Sequence, residues 1–134
     1  MGTRFIATKE SDFEPTWKQA ILEREERNTL VGRGLFGPMR FLRNSRAEEI
    51  VKRTLEDIPD FFLGEPLDSN EEILRLERTG FDDLIDGKSE TALMFGGEVV
   101  GRIRDLPTTA ELIEGIVSEA SQVLNKAPKF VIDM

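Results

Sequence analysis

The sequence predicts a mainly helical single domain, with about four to five helices joined by short extended segments. Three observations carry that expectation. Ser/Thr-x-x-Glu boxes that open helices occur at Ser45/Glu48, Ser69/Glu72 and Thr108/Glu111. Apolar residues recur at spacings of three and four in the stretches beside or after such signals. Few segments remain that could pair as strands. At 134 residues there is length for one domain and too little for two, and a chain of this size buries roughly two-thirds of its unfolded surface.

Taken in order, MGTRFIAT at residues 1–8 carries Phe5 and Ile6 and reads as a strand end running into a loop. Pro15 suits a first helical turn, and Trp17, Ala20 and Ile21 follow at helical spacing. The same helix is expected to continue through Glu23 to Arg27, an i,i+4 pair in the favourable order. Residues 28–42 change character: Gly32, Gly34, Gly37 and Pro38 break any helix, and Leu30, Val31, Met39, Phe41 and Leu42 suggest short extended pieces. The Ser45/Glu48 box starts a helix with Ala47, Ile50, Val51 and Leu55 inward. Pro59 and Gly64-Glu65-Pro66 end it, and Phe61, Phe62 and Leu63 pin the loop to something apolar.

The Ser69/Glu72 box opens a further helix through Ile73, Leu74 and Leu76, stopped by Gly80. Leu84 and Ile85 look like one turn, and residues 92–95 like a short helix or strand. Pro107 and the Thr108/Glu111 box start the last helix, whose Leu112, Ile113, Ile116, Val117, Ala120, Val123 and Leu124 form an apolar stripe. The tail PKFVIDM should lie extended.

Composition narrows the chemistry. With 18 Lys plus Arg against 26 Asp plus Glu the net charge is −8, so neither nucleic acid nor an anionic membrane is an expected partner. There is no Cys and no His, which removes disulfides, thiolate nucleophiles, imidazole acid–base work and nearly every common zinc site. No apolar run approaches a membrane span and no leader opens the chain, so a cytoplasmic location is expected.

Some motifs tempt and fail. Gly32, Gly34 and Gly37 spell GxGxxG after Thr29-Leu30-Val31, but that fingerprint needs a helix opening at its third glycine, where Pro38 follows at once. A specially turned loop is the plainer reading. Gly87-Lys88-Ser89 resembles a P-loop end without its leading glycine, since Asp82 stands there. Asp82, Asp86 and Gly87 form half a calcium loop with Leu84 and Leu93 at ligand positions. Neither supports a metal or nucleotide site, and no residue is assigned a catalytic or metal-ligating role.

Three ordered blocks are more specific. MGTRFIATKES at residues 1–11 is followed by Pro15, Trp17, Lys18, Gln19, Ala20 and Ile21. TLVGRGLFGPMRFLRN covers residues 29–44, and FGGEVVGRIRDLPTTAELIEGIV covers residues 95–117. Together they resemble the C-terminal part of the nitronate monooxygenase (2-nitropropane dioxygenase) family, which includes the FMN-dependent enoyl-acyl-carrier-protein reductases. The pattern departs at Ser11 and Glu14, where Cys and His are usual, and at Glu98, where Gln is common.

The resemblance implies the C-terminal portion of an FMN-binding (β/α)8 TIM barrel, lacking strands one to seven. It divides residues 1–134, a single partial domain, into three. Residues 1–27 are the end of the last barrel strand and its helix, 28–44 a Gly-rich excursion and 45–134 a C-terminal helical part. It also implies that Met1, Gly2 and Thr3 form one edge of an FMN phosphate site, with a frayed terminus as the plain alternative. Arg4 and the Arg40–Arg43 stretch could contact an anion or pair within the chain. The family's histidine and flavin-covering loops lie upstream, so this chain is expected to be inactive and unable to hold FMN alone. Its expected partner is the missing N-terminal barrel half or a second copy. Oxidation of alkyl nitronates is the first functional reading, an enoyl reductase portion the second, and a helical interaction module without flavin the third.

Overall fold

A computed structural model describes residues 1–34, 37–57 and 70–127. Its element order is α1 (Gly2–Ile6), α2 (Pro15–Glu23), β1 (Thr29–Gly34), β2 (Gly37–Leu42), α3 (Ser45–Asp57), α4 (Glu71–Ile85), a 3₁₀ helix (Glu98–Arg102) and α5 (Thr109–Lys126). The expected helical class holds, with one two-stranded sheet among the described residues.

The opening segment corrects the expectation of a strand end. With no described strand beside it, its backbone finds partners locally: Arg4 N–H donates to Met1 O at 3.0 Å and Ala7 N–H to Thr3 O at 3.3 Å, which closes α1. Pro15 does open α2, and Trp17, Ala20 and Ile21 are buried on it. The helix stops at Glu23 rather than running on to Arg27. Arg24 leaves it with ψ 140° and Arg27 turns at φ 63°, so the expected Glu23/Arg27 helix pair does not form. The reason lies across the chain: Gly101 packs directly on the backbone of Glu25 and Glu26, which requires an extended segment there, and Arg104 donates to Arg24 O at 2.8 Å.

β1 and β2 form an antiparallel hairpin with Thr29 opposite Leu42 and Gly34 opposite Gly37. The GxGxxG glycines therefore sit in strands and not in a loop, and no helix opens after them. Gly37 has φ +104°, which favours glycine. Residues 92–95 run beside β2. Leu42 N–H donates to Met94 O at 2.8 Å and Phe41 bridges Phe95.

The alternation along β2 and the segment beside it divides the core by its period of two. Leu42, Ala92 and Met94 join Ala7, Trp17, Ile21, Leu84, Val100 and Ile103 on one side. Phe41 and Leu93 join Ala47, Ile50 and Leu76 on the other. Half-buried Phe95 touches both clusters, its ring 5.5 Å from that of Phe41 and 6.0 Å from that of Trp17. Each fully buried large side chain contributes about 1.5–3 kcal/mol.

At α3 the expected Ser45/Glu48 box is replaced by an asparagine cap. Ser45 is the first residue of α3, and Asn44 precedes it: its Oδ1 accepts from Ala47 N–H at 2.9 Å while its amide donates to Ser89 O and Ala92 O. Glu48 turns outward to Arg43 at 2.9 Å. Asn70 likewise caps α4 by accepting from Ile73 N–H at 3.0 Å. On α3 the inward face is Ala47, Ile50 and Thr54; Leu55 is exposed and Val51 only half-buried. Thr54 fits because its hydroxyl donates to Ile50 O at 2.8 Å and accepts from Arg33 N–H at 3.0 Å.

Gly80 does not stop α4. A Cβ there would come within 2.7 Å of Leu93 Cβ, so the glycine lets the helix lie against residues 92–95 and run on through Leu84 and Ile85. The Thr108/Glu111 box is formed in full. The stripe of α5 is a different matter: Leu112 is its one buried residue, and Ile113, Ile116, Val117, Val123 and Leu124 are exposed. Pro59, Phe61, Phe62, Leu63, Gly64-Glu65-Pro66, Ser69 and the PKFVIDM tail lie outside the described residues.

Candidate functional site

Gly2 and Thr3 stand in the first turn of α1, where backbone N–H groups have no acceptor within the helix. Gly2 is exposed, and a Cβ on it would meet nothing within 4 Å. Thr3 is buried, and its Oγ1 accepts from Gly97 N–H at 2.7 Å, a contact 94 residues apart in sequence. A hydroxyl that accepts in this way keeps its hydrogen for a second partner. Met1 caps the helix and is 79% exposed.

The approach of α1 to residues 96–97 depends on glycine. A Cβ on Gly96 would collide with the Leu42 side chain, and one on Gly97 would press on Thr3 Oγ1 at 3.3 Å. Gly96 N–H donates to Arg40 O at 3.1 Å, which ties the pair to β2. The result is a shallow hollow of 410 Å³ lined by Gly2, Thr3, Ile6, Arg40, Phe95, Gly96 and Gly97.

Arg40 brings the charge. Its Nη1 donates to Thr29 Oγ1 at 3.0 Å, and its Nη2 lies 3.9 Å from Glu98 Oε2. Arg4 points away from the hollow and bonds Asp105 at 2.7 Å, and Arg43 bonds Glu48. All three of these arginines pair within the chain, and Arg40 is the one of them that lines the hollow.

The donors left for an anionic phosphate are first-turn N–H groups, the Thr3 hydroxyl and the Arg40 guanidinium, since the N–H groups of Gly96 and Gly97 are already spent on Arg40 O and Thr3 Oγ1. The described residues give the hollow no acid–base pair, and they contain no group of three Asp or Glu able to hold a metal. Of the calcium-like residues, Asp86 bonds Lys88 Nζ at 2.8 Å, and the neighbouring Asp83 shares that lysine. Hydrogen bonds from Lys88, then Thr91 and Arg46, hold Asp83 below the usual carboxylate range, and Lys88, raised by Asp86 and Asp83, is spent on them. This ion-pair group lies at the end of α4 and also disposes of the P-loop reading.

The resemblance names Met1, Gly2 and Thr3 as an expected phosphate edge; Gly2 and Thr3 line this hollow together with Phe95, Gly96 and Gly97, which it does not name. The signal available was the FGGEVVGRI block itself, whose paired glycines precede a 3₁₀ turn.

The fold has counterparts among known proteins. The nitronate monooxygenase family model matches residues 1–119, and the chain belongs to that family, whose members are generally FMN-dependent oxidoreductases. Among solved structures, FabK from Thermotoga maritima is similar at 25% identity and a TM-score of 0.74, over 98% of this chain and 39% of that one. Its M276A mutant gives 25% identity and a TM-score of 0.69, over 98% and 36%. The chain thus spans little more than a third of the length of the structures it resembles. No helix among the described residues is long and apolar enough to cross a membrane.

Proposed function

We propose that this chain forms the phosphate edge and helical cover of an FMN-dependent oxidoreductase that oxidises alkyl nitronates, and that it acts with the remaining strands of a (β/α)8 barrel. Those strands would come from elsewhere in the same polypeptide or from a separate chain. The observation that carries the reading is the convergence of Thr3, Gly96, Gly97 and Arg40 on one hollow beside the first turn of α1. Gly2 and Thr3 would hold the phosphate through N–H groups and the Thr3 hydroxyl, with Met1 bounding the edge. FMN, when bound, supplies the electron transfer, and the protein's part is binding and orientation.

Two or three charge-assisted hydrogen bonds, each worth about 1.5–3 kcal/mol at best, do not offset the cost of ordering a free ligand. The chain by itself is therefore expected to be colourless and inactive. The test is to purify it alone and together with a polypeptide carrying the other barrel strands, then desalt and record flavin absorbance and nitronate oxidation. Retained flavin in the mixture only is the expected result. A mixture that forms a stable complex and stays colourless refutes the reading.

The similarity to FabK favours a second reading, a portion of an enoyl-acyl-carrier-protein reductase. Oxidation of a reduced nicotinamide by enoyl-acyl-carrier protein, measured on the same mixture, separates the two. A third reading, a helical module that docks a partner or a second copy, draws on the exposed apolar face of α5. A colourless dimer of the chain alone in sedimentation would favour it.

A further inference from the structure

We propose that α5 and the groove beside it are the seat on which the rest of the barrel docks. The occupant is an apolar helix of the barrel's outer layer that carries a Lys or Arg opposite Glu119. This rests on the reading of the chain as part of a flavin barrel and adds to it the surface through which the two portions join.

The seat has two adjoining parts. Ile113, Val117 and Leu124 fall on one face of α5 at spacings of four and seven, and all three are exposed. Beside that face, α5 and the residues just before it border an open groove of about 790 Å³ with Leu106, Pro107, Leu112 and Ile116 as its apolar wall. The groove is fixed before any partner arrives. Glu10 accepts from Thr109 N–H at 2.9 Å, Lys9 N–H donates to Pro107 O at 3.0 Å, and Leu112 is buried. A surface already in place spares the partner the cost of ordering it.

Gly115 is the independent sign of a partner. Glycine inside a helix weakens it relative to alanine. Yet Gly115 lines the groove, and the Cβ it lacks would meet nothing within 4 Å. Packing within this chain gives no reason for a glycine there, whereas a second helix crossing at close approach does.

Length and charge say what that helix belongs to. The correspondence with FabK takes in 98% of this chain, α5 included, and 39% of that one, so α5 holds this pose where most of the fold is supplied from elsewhere. The family model runs to residue 119, past Ile113, Ile116 and Val117. The outer layer of a (β/α)8 barrel is helical, so the surface that the absent portion offers is a helix. A second copy is the poorer occupant. Each copy carries a net charge of −8, and α5 itself has Glu111, Glu114 and Glu119 against Lys126 alone. Glu119, on the rim of the groove, pairs with no described residue and calls for a cation from the partner.

The experiment co-expresses the full chain with a polypeptide carrying the other barrel strands, then measures affinity, flavin absorbance and amide exchange along α5. In the complex the amides from Gly115 to Leu124 should exchange at least tenfold more slowly than in the chain alone. Val117→Glu and Gly115→Leu should each weaken binding tenfold or more, and Glu119→Lys about threefold or more. None of these side chains supports the fold of this chain, so circular dichroism and the urea midpoint of the free variants should hold, with helicity rising in Gly115→Leu. Unchanged affinity in either Val117→Glu or Gly115→Leu, or α5 amides as fast in the complex as in the free chain, overturns the proposal. A dimer of the chain alone that Val117→Glu dissociates gives the face to a second copy and overturns it too. A colourless complex with α5 protected leaves the docking seat standing and refutes the flavin reading. Failure to form any complex overturns both.

Discussion

α2 and α5 show how differently two amphipathic helices can be used in one chain. The first has nine residues and buries Trp17, Ala20 and Ile21 against the seam of β2 and residues 92–95. The second has 18 residues, a complete capping box, and one buried side chain, Leu112. Propensity and capping form both, yet only α2 gains from packing, where most helical stability in proteins originates. The apolar face of α5 shows that periodicity records a need for cover without naming what supplies it. Among the described residues α2 lies in the core, while α5 is capped at its start and leaves most of its apolar face exposed.

Substitutions of equal chemistry in the two regions should separate them most. Ile50→Ala, at a fully buried position, should cost about 3 kcal/mol in urea unfolding, and Leu124→Ala, 70% exposed on α5, no more than about 0.5 kcal/mol. Comparable losses would mean that α5 is packed in solution.

Glycine replacements sharpen the contrast at smaller amplitude. Gly101→Ala drives a methyl into the backbone of residues 25–26, which cannot move aside cheaply, and should lower global stability by about 2 kcal/mol. Gly115→Ala meets nothing within 4 Å and should firm α5 by about 0.8–1 kcal/mol of helix propensity. Helical circular dichroism and amide exchange along α5 would register it, with little change in the unfolding midpoint.

The smallest effect concerns the start of α5. Glu10 accepts from Thr109 N–H at 2.9 Å, and that backbone bond pulls its carboxyl below the usual range near 4.5; the Thr108 N–H does the same for Glu111. A depressed carboxyl stabilises the folded form above its unfolded value and loses that contribution as pH falls through the folded one. Amide exchange at Thr109 and Glu111 should therefore quicken as pH drops below about 4.5, after correction for intrinsic rates, while the amides of Ile50 and Leu76 hold. Equal loosening at both places would erase the distinction between anchor and body.

The helical class, the hairpin glycines as non-nucleotide residues, and the Pro15 and Thr108 helix starts were legible because each rests on local geometry. The asparagine caps were not. Asn44 wins over Ser45 because its amide caps α3 and simultaneously binds Ser89 O and Ala92 O, a demand set by a segment far along the chain. The end of α2 and the passage of α4 through Gly80 were hidden for the same reason, since Gly101 and Leu93 impose them from a distance. At the site, Gly2 and Thr3 followed from family resemblance. Their meeting with Gly97 and Arg40 is a tertiary fact that no spacing along the sequence encodes.

The sole tryptophan turns this arrangement into an optical instrument. Trp17 donates its indole N–H to Phe95 O at 3.0 Å, and Phe95 is also a wall of the hollow. Emission from that one indole reports on the wall directly, and its wavelengths overlap the absorption of an isoalloxazine ring. Quenching of a single native fluorophore would then register an arriving flavin without any label.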